Sequence, residues 1–158
     1  MKIYIINPDN GKRVSIEEWR KDSNPTRARI LASDTDEGHT ILMSKKYLPD
    51  WYTFEEAQKA CAEFITAELG NSGVVFRCPT RKESIDIYDA RFQGLDEAVE
   101  LTGGNFAKVG RYHWTCERDT DPSYYAGVAW CSVGLNCCAV NGFGLYGTFS
   151  ALPVALLK

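Results

Sequence analysis

Val74-Val75-Phe76-Arg77-Cys78-Pro79-Thr80-Arg81-Lys82-Glu83 is the stretch on which the fold turns. Its first half is a short apolar run bounded by turn residues, which predicts a buried strand over 74–78. Pro79 has no N–H to give a ladder and closes the strand. Thr80 followed three residues later by Glu83 is a capping box. The hydroxyl takes the third N–H of the coming helix, and the carboxylate reaches back to the N–H of Thr80. The helix that follows carries Ile85, Tyr88 and Phe92 on one stripe, predicted to face the core. Leu95 to Leu101 continues as a shorter helix, stopped by Gly103-Gly104.

Upstream, Leu48-Pro49-Asp50 breaks the chain, and Thr53-Phe54-Glu55-Glu56 forms another capping box. Phe54, Ala57, Ala60, Cys61, Phe64 and Ile65 follow at helical spacing, predicting a helix that ends near Gly70-Asn71. Nearer the start, Lys2 to Ile6 reads as a strand closed by the turn Asn7 to Gly11. Ser15 and Glu18 cap a short helix through Trp19, and Asn24-Pro25 ends it. Arg29 to Ala32 and His39 to Met43 read as two strands around the polar turn Ser33 to Gly38. Residues 1–47 are therefore expected to form a small strand/helix extension, and 48–158 the main domain.

After Gly110 helical periodicity disappears. Apolar and aromatic stretches at 112–117, 124–133, 137–143 and 148–157 alternate with glycines, which predicts antiparallel strands. The fold class is α+β: two main helices packed on antiparallel sheets.

With 158 residues, 44% of them hydrophobic, the chain can build an ordinary core. A net charge of -3 argues against a nucleic-acid partner, which demands a basic face. No apolar run reaches the roughly 20 residues of a membrane span. Met1 to Asn7 lacks the basic and apolar regions of a signal peptide. The expectation is a virion-associated or cytoplasmically folded protein, or a cell-surface one whose leader has been removed. The six cysteines, at 61, 78, 116, 131, 137 and 138, form no CxxC pair, and neither His39 nor His113 stands at zinc-like spacing from them. Free thiols, no metal and no cofactor are expected.

Residues 118–157 contain no Lys, Glu, Gln or Met, and Trp130 is their one tryptophan. The first 117 residues hold 26 members of these five types, a rate that would put about nine in this 40-residue stretch. Strand composition explains part of the deficit, since sheets deplete Glu and Lys. It does not explain a solvated sheet with almost no charge. Codons ending in a pyrimidine cannot encode these five types, and every other residue from 118 to 157 can be so encoded. Asparagine codons randomised at their adenines leave this residue set. The adjacent Cys137-Cys138 fits that origin better than chelation, because strand neighbours face opposite ways.

Four motifs carry a resemblance. Phe76 to Glu83 resembles the "WRLPTrkE" motif of C-type-lectin-like domains common in gut bacteria and their phages. Tyr112-His113-Trp114-Thr115-Cys116-Glu117 resembles their "YYWTSTE" strand, Ala129-Trp130 the following "AW", and Leu152 to Leu157 the closing "RPVALL". The match runs in order over about residues 50–158, with Cys78 in place of the usual Leu and Leu152 in place of the usual Arg. It implies a C-type-lectin-like fold. In the subset called diversity-generating retroelement variable proteins, variable positions lie between the "AW" and the last strand, where the pyrimidine-ending stretch falls here. The calcium-binding triplets of sugar-binding lectins are missing, so clustered oxygen ligands for calcium are not expected.

The resemblance implies a ligand-display protein, not an enzyme, that recognises a protein or glycan on a cell surface and leaves oligomerisation open. The candidate contact residues are Gly127, Ala129, Cys131, Val133, Leu135, Asn136, Cys137, Cys138, Val140, Gly142, Phe143, Leu145 and Tyr146. No charge falls among residues 127–147, and a domain of this size cannot bury all their apolar side chains, so an exposed apolar patch is expected. Trp114 and Trp130 are expected in the core, with Val128 and Ser132 on the face of Trp130 and Ala129, Cys131 and Val133 pointing outward. Glu117 is expected to make a structural hydrogen bond, Arg77 a salt bridge or a solvated contact, and His113 to face away from Tyr112 and Trp114. The rival readings are an undiversified adhesin or phage tail-associated domain, and an enzyme of the formylglycine-generating type with two reactive cysteines in a pocket.

Overall fold

The computed structural model describes residues 2–6, 12–21, 30–34, 38–64, 74–105, 112–117, 127–131, 139–143 and 147–157, of which 30–34, 127–131, 139–143 and 157 are described as backbone alone. It is a small α+β domain with short helices and two antiparallel sheets. In chain order the elements are β1 (Lys2–Ile6), β2 (Arg13–Val14), α1 (Ile16–Arg20), β3 (Ile30–Asp34), β4 (Thr40–Ser44), α2 (Phe54–Ala62), α3 (Arg81–Ala90), α4 (Asp96–Leu101), β5 (Tyr112–Trp114), β6 (Gly127–Cys131), β7 (Ala139–Phe143) and β8 (Val154–Leu157).

The larger sheet runs β2-β1-β3-β4-β8. Its last ladder pairs Thr40 with Leu157 and Met43 with Val154, so the first and last segments of the chain share one sheet. The boundary expected near residue 48 is crossed by this ladder. Alternation along the strands gives the sheet two apolar faces. Ile3, Ile5, Ile41, Met43 and Val154 pack with Trp19 of α1, Ile87 and Ala90 of α3, and Ala98 and Val99 of α4. Ile6, Leu42 and Ala155 form the opposite face with Phe76. A third cluster joins Phe54, Ala57 and Cys61 of α2 to Cys78, Trp114 and Ala151.

The helix starts follow the caps. Ser15 Oγ accepts from Glu18 N–H and Glu18 Oε2 from Ser15 N–H, both at 3.2 Å. Thr80 Oγ1 accepts from Glu83 N–H (3.1 Å) and Glu83 Oε2 from Thr80 N–H (2.8 Å). A cap of this kind contributes about 1 kcal/mol. At Thr53 half of the expected box forms: the hydroxyl accepts from Glu56 N–H (3.4 Å), and the carboxylate accepts from that hydroxyl (3.1 Å) rather than from the backbone.

Three expectations need correction. First, α2 ends at Ala62, capped by Glu63, eight residues short of the predicted end at Gly70. Within that length the buried stripe is Phe54, Ala57 and Cys61, while Phe64, past the end, packs edge-on against Phe76. Second, 74–78 is no regular strand. Arg77 alone bridges to Val154, through two backbone bonds of 2.8 Å, and Val75 is 75% exposed while Phe76 and Cys78 are buried. The alternation is that of an extended segment docked at one point. Third, the inward face of α3 is Ser84, Ile87 and Ala90, not Ile85, Tyr88 and Phe92. Ile85 and Phe92 are 43% and 63% exposed. Small side chains let α3 sit close to its neighbours, and a periodicity that counts large apolar residues selects the stripe one position round.

Between α3 and α4 the helix widens over Arg91–Leu95 and kinks where Gln93 and Gly94 leave helical geometry. Gly94 has φ +110°, and a Cβ there would stand 3.2 Å from Ile16 Cδ1. Helix α4 stops as expected: Gly103 N–H bonds Glu100 O (3.1 Å) and Gly104 N–H bonds Val99 O (2.8 Å), with Gly103 at φ +71°.

Candidate binding surface

The C-terminal segment is the seam between the two sheets. Its backbone pairs with Leu48 at Ala151 and with Tyr52 at Phe149 on one side, and with Tyr112 and Trp114 at Ser150 on the other. The smaller sheet, β5-β6-β7, grows outward from this seam.

Strand β5 is fixed on both faces. Trp114 is fully buried and meets Phe54 edge-on at 5.6 Å and Phe149 at 5.0 Å. Its indole N–H donates to Tyr52 O at 2.7 Å, which satisfies the one polar atom of the ring. His113, on the other face as expected, is also fully buried. Its Nε2 lies 3.3 Å from Ser84 Oγ of α3, and its ring is tilted against Tyr47 at 6.0 Å. Burial pushes its pKa down to about 3. Thr115 O accepts from Gln58 of α2 (2.9 Å), and Cys116 N–H donates to Pro79 O (2.9 Å).

Beneath the strand, Glu117 makes the structural hydrogen bond expected of it, accepting from Arg81 N–H at 2.9 Å in the first turn of α3. Arg77 clasps Glu83 with two bonds of 2.7 Å. Burial works against the Glu83 carboxylate, but Arg77 and the Thr80 N–H outweigh it and hold its pKa below the usual range. The cap of α3 and the base of β5 are thus one connected polar cluster.

The candidate residues continue from β5 by register. Rows across the sheet are Tyr112–Cys131–Ala139, His113–Trp130–Val140 and Trp114–Ala129–Asn141, followed by Val128–Gly142 and Gly127–Phe143. Gly127, Ala129 and Cys131 therefore share rows with Phe143, Asn141 and Ala139. Val140 and Gly142 fall in the alternate rows, with Trp130 and Val128. The six described candidates occupy rows of both parities rather than one face. Trp130 is in register with His113 and not with Trp114, so the two tryptophans occupy positions of opposite parity. Val133, Leu135, Asn136, Cys137, Cys138, Leu145 and Tyr146 lie outside the described residues, as does Ser132.

Other features that sequence reasoning did not single out also surround the scaffold. Trp51 is 57% exposed beside Tyr52. Cys61 and Cys78 bring their sulfurs to 3.5 Å in the buried core. A spacing of 17 residues, from a helix to an extended segment, has no local signature that could have announced this. The Cys78 thiol is pushed well up by its hydrogen bond to Cys61 and by burial, the reverse of what a nucleophilic thiolate needs. A cleft of about 110 Å³ between β4, α3 and β8, lined by His39, Ile41, Lys82 and Asp86 among others, is small for an organic ligand, whose pockets run to about 300 Å³ or more. Among the described residues no group of three or more His, Cys, Asp or Glu side chains could hold a metal ion, and no helix is long and apolar enough to cross a membrane. No protein-family model and no curated protein gives a significant match to the chain.

Proposed function

We propose that the chain is a ligand-display protein of C-type-lectin-like fold, related to the variable proteins of diversity-generating retroelements, and that residues 127–147 form its contact surface for a protein or glycan. The observation that carries this reading is the composition of 118–157: forty residues confined, apart from Trp130, to types that pyrimidine-ending codons encode, with no charge between 127 and 147. The geometry supports it in one respect. A display surface needs a rigid mount, because ordering a loose one on binding costs affinity. Strand β5 supplies that mount, held by Phe54 of α2 on one face and by Ser84 of α3 on the other. Strands β6 and β7 extend from it.

The test is the DNA around the gene. The reading expects a reverse transcriptase gene and a near-copy of the 118–157 coding segment, with adenines at the positions where the two copies differ. Apart from the TGG of Trp130, codons in this segment should end in C or T throughout. A gene whose codons here use all four third bases, with no such copy nearby, would leave an undiversified binding domain as the better account.

A further inference from the structure

We infer that Cys61 and Cys78 are a redox pair, free thiols in the reduced protein that close to a disulfide under oxidising conditions. Cys61 stands in the last turn of α2, on the stripe it shares with Phe54 and Ala57. Cys78 alternates with Phe76 on the extended segment that leads into α3. Both are fully buried free cysteines, and their sulfurs are 3.5 Å apart, with the Cys78 thiol donating to Cys61. A disulfide requires about 2.05 Å, so a closing movement of roughly 1.5 Å completes the bond, within reach of side-chain rotation and a small backbone adjustment.

Two sulfurs in contact need no other protein group to react. With a small-molecule disulfide as oxidant, one thiolate attacks it and forms a mixed disulfide, releasing one thiol. The second cysteine then attacks that intermediate, releasing the other. Two cysteine S–H bonds and the oxidant's S–S bond break, one protein S–S bond forms, and the two electrons and two protons leave on the released thiols. Its hydrogen bond to Cys61 and its burial keep Cys78 as a thiol, so closure is slow near neutral pH and quickens in alkali.

The consequence is mechanical. The bond would tie α2, whose Phe54 holds Trp114, to the segment whose Thr80 starts α3, closing a loop between residues 17 apart in sequence. The scaffold beneath β5 would be cross-linked without touching β6 or β7, so this pair is independent of the display reading.

The experiment equilibrates the full chain in a series of reduced and oxidised glutathione mixtures, quenches with acid, alkylates and maps peptides without reduction. The expected result is a Cys61–Cys78 cross-linked peptide pair carrying a two-hydrogen mass loss. The cross-linked protein should melt roughly 10 °C higher, as expected for a loop of this length in a domain of this size. Reductant should reverse the shift, and Cys61→Ala or Cys78→Ala should each abolish it. Recovery of both residues as thiols in the most oxidising mixture, or of Cys78 joined to Cys116 instead, would overturn the inference. Peptide mapping of the unsubstituted chain decides this even if a variant fails to fold.

Discussion

His113 shows what a single residue contributes when its surroundings exclude water. Alternation within Tyr112-His113-Trp114 made its facing legible in the sequence, but not that both faces of β5 are covered. That follows from α2 and α3 closing on the strand from opposite sides, a tertiary fact. The neutral imidazole carries a consequence for acid stability. The unfolded chain takes up a proton near pH 6.5, whereas the folded chain resists it until about 3. The folded pKa is depressed, so stability is full above 6.5 and falls with pH by roughly 1.4 kcal/mol per unit until about 3. Glu83 acts in the same direction, but only once pH drops below its ordinary value of 4.5. Among the described groups, urea unfolding between pH 6.5 and 4.5 therefore reads His113, and His113→Asn should flatten the slope there. An unchanged slope in that variant would assign the acid sensitivity elsewhere.

Helix starts could be read from a few residues, because a cap is a local device: Ser15, Thr53 and Thr80 all begin helices. Helix faces could not be read so easily. The large apolar residues Ile85 of α3 and Phe92 just beyond it point to solvent, while Ser84, Ile87 and Ala90 go inward, because the helix must approach His113 and the sheet closely. The same holds for the segment 74–78, where Val75 counted toward a buried strand and is exposed. Paired substitutions check the assignment. Ile87→Ala should cost about 2–4 kcal/mol, as for a truncated core side chain. Phe92→Ser, although it removes a larger group, should cost about 0.5 kcal/mol or less, with a small further loss from its edge contact with Tyr88. Chemical denaturation of the two variants reads both values, and the opposite order would restore the stripe inferred from periodicity.

At the scale of the whole molecule, the α+β order of elements was legible, and the closure of the fold was not. Thr40 pairs with Leu157, 117 residues further along the chain, and no local pattern announces such a partner. That ladder, with the seam at 149–151, makes the C-terminal segment the member that holds both sheets together. The proposed display function adds a division of labour between scaffold and surface, which can be tested. Trp114→Ala removes a fully buried ring that bridges Phe54 and Phe149 and should cost roughly 3–5 kcal/mol. Trp130→Ala, at the position in register with the buried His113, should be as costly. Alanine at Val133, Leu135, Val140, Phe143 or Leu145 should instead change stability only within about 0.5 kcal/mol each, while changing what the protein binds. Val140 is the sharpest case, because it continues the His113–Trp130 row at the third strand. If it melts the protein as Trp114→Ala does, the core reaches across the sheet. An alanine scan of 127–147, read by urea melts, then separates the two cases. Losses comparable to that of Trp114 at most positions would make the segment core and remove the physical basis for display.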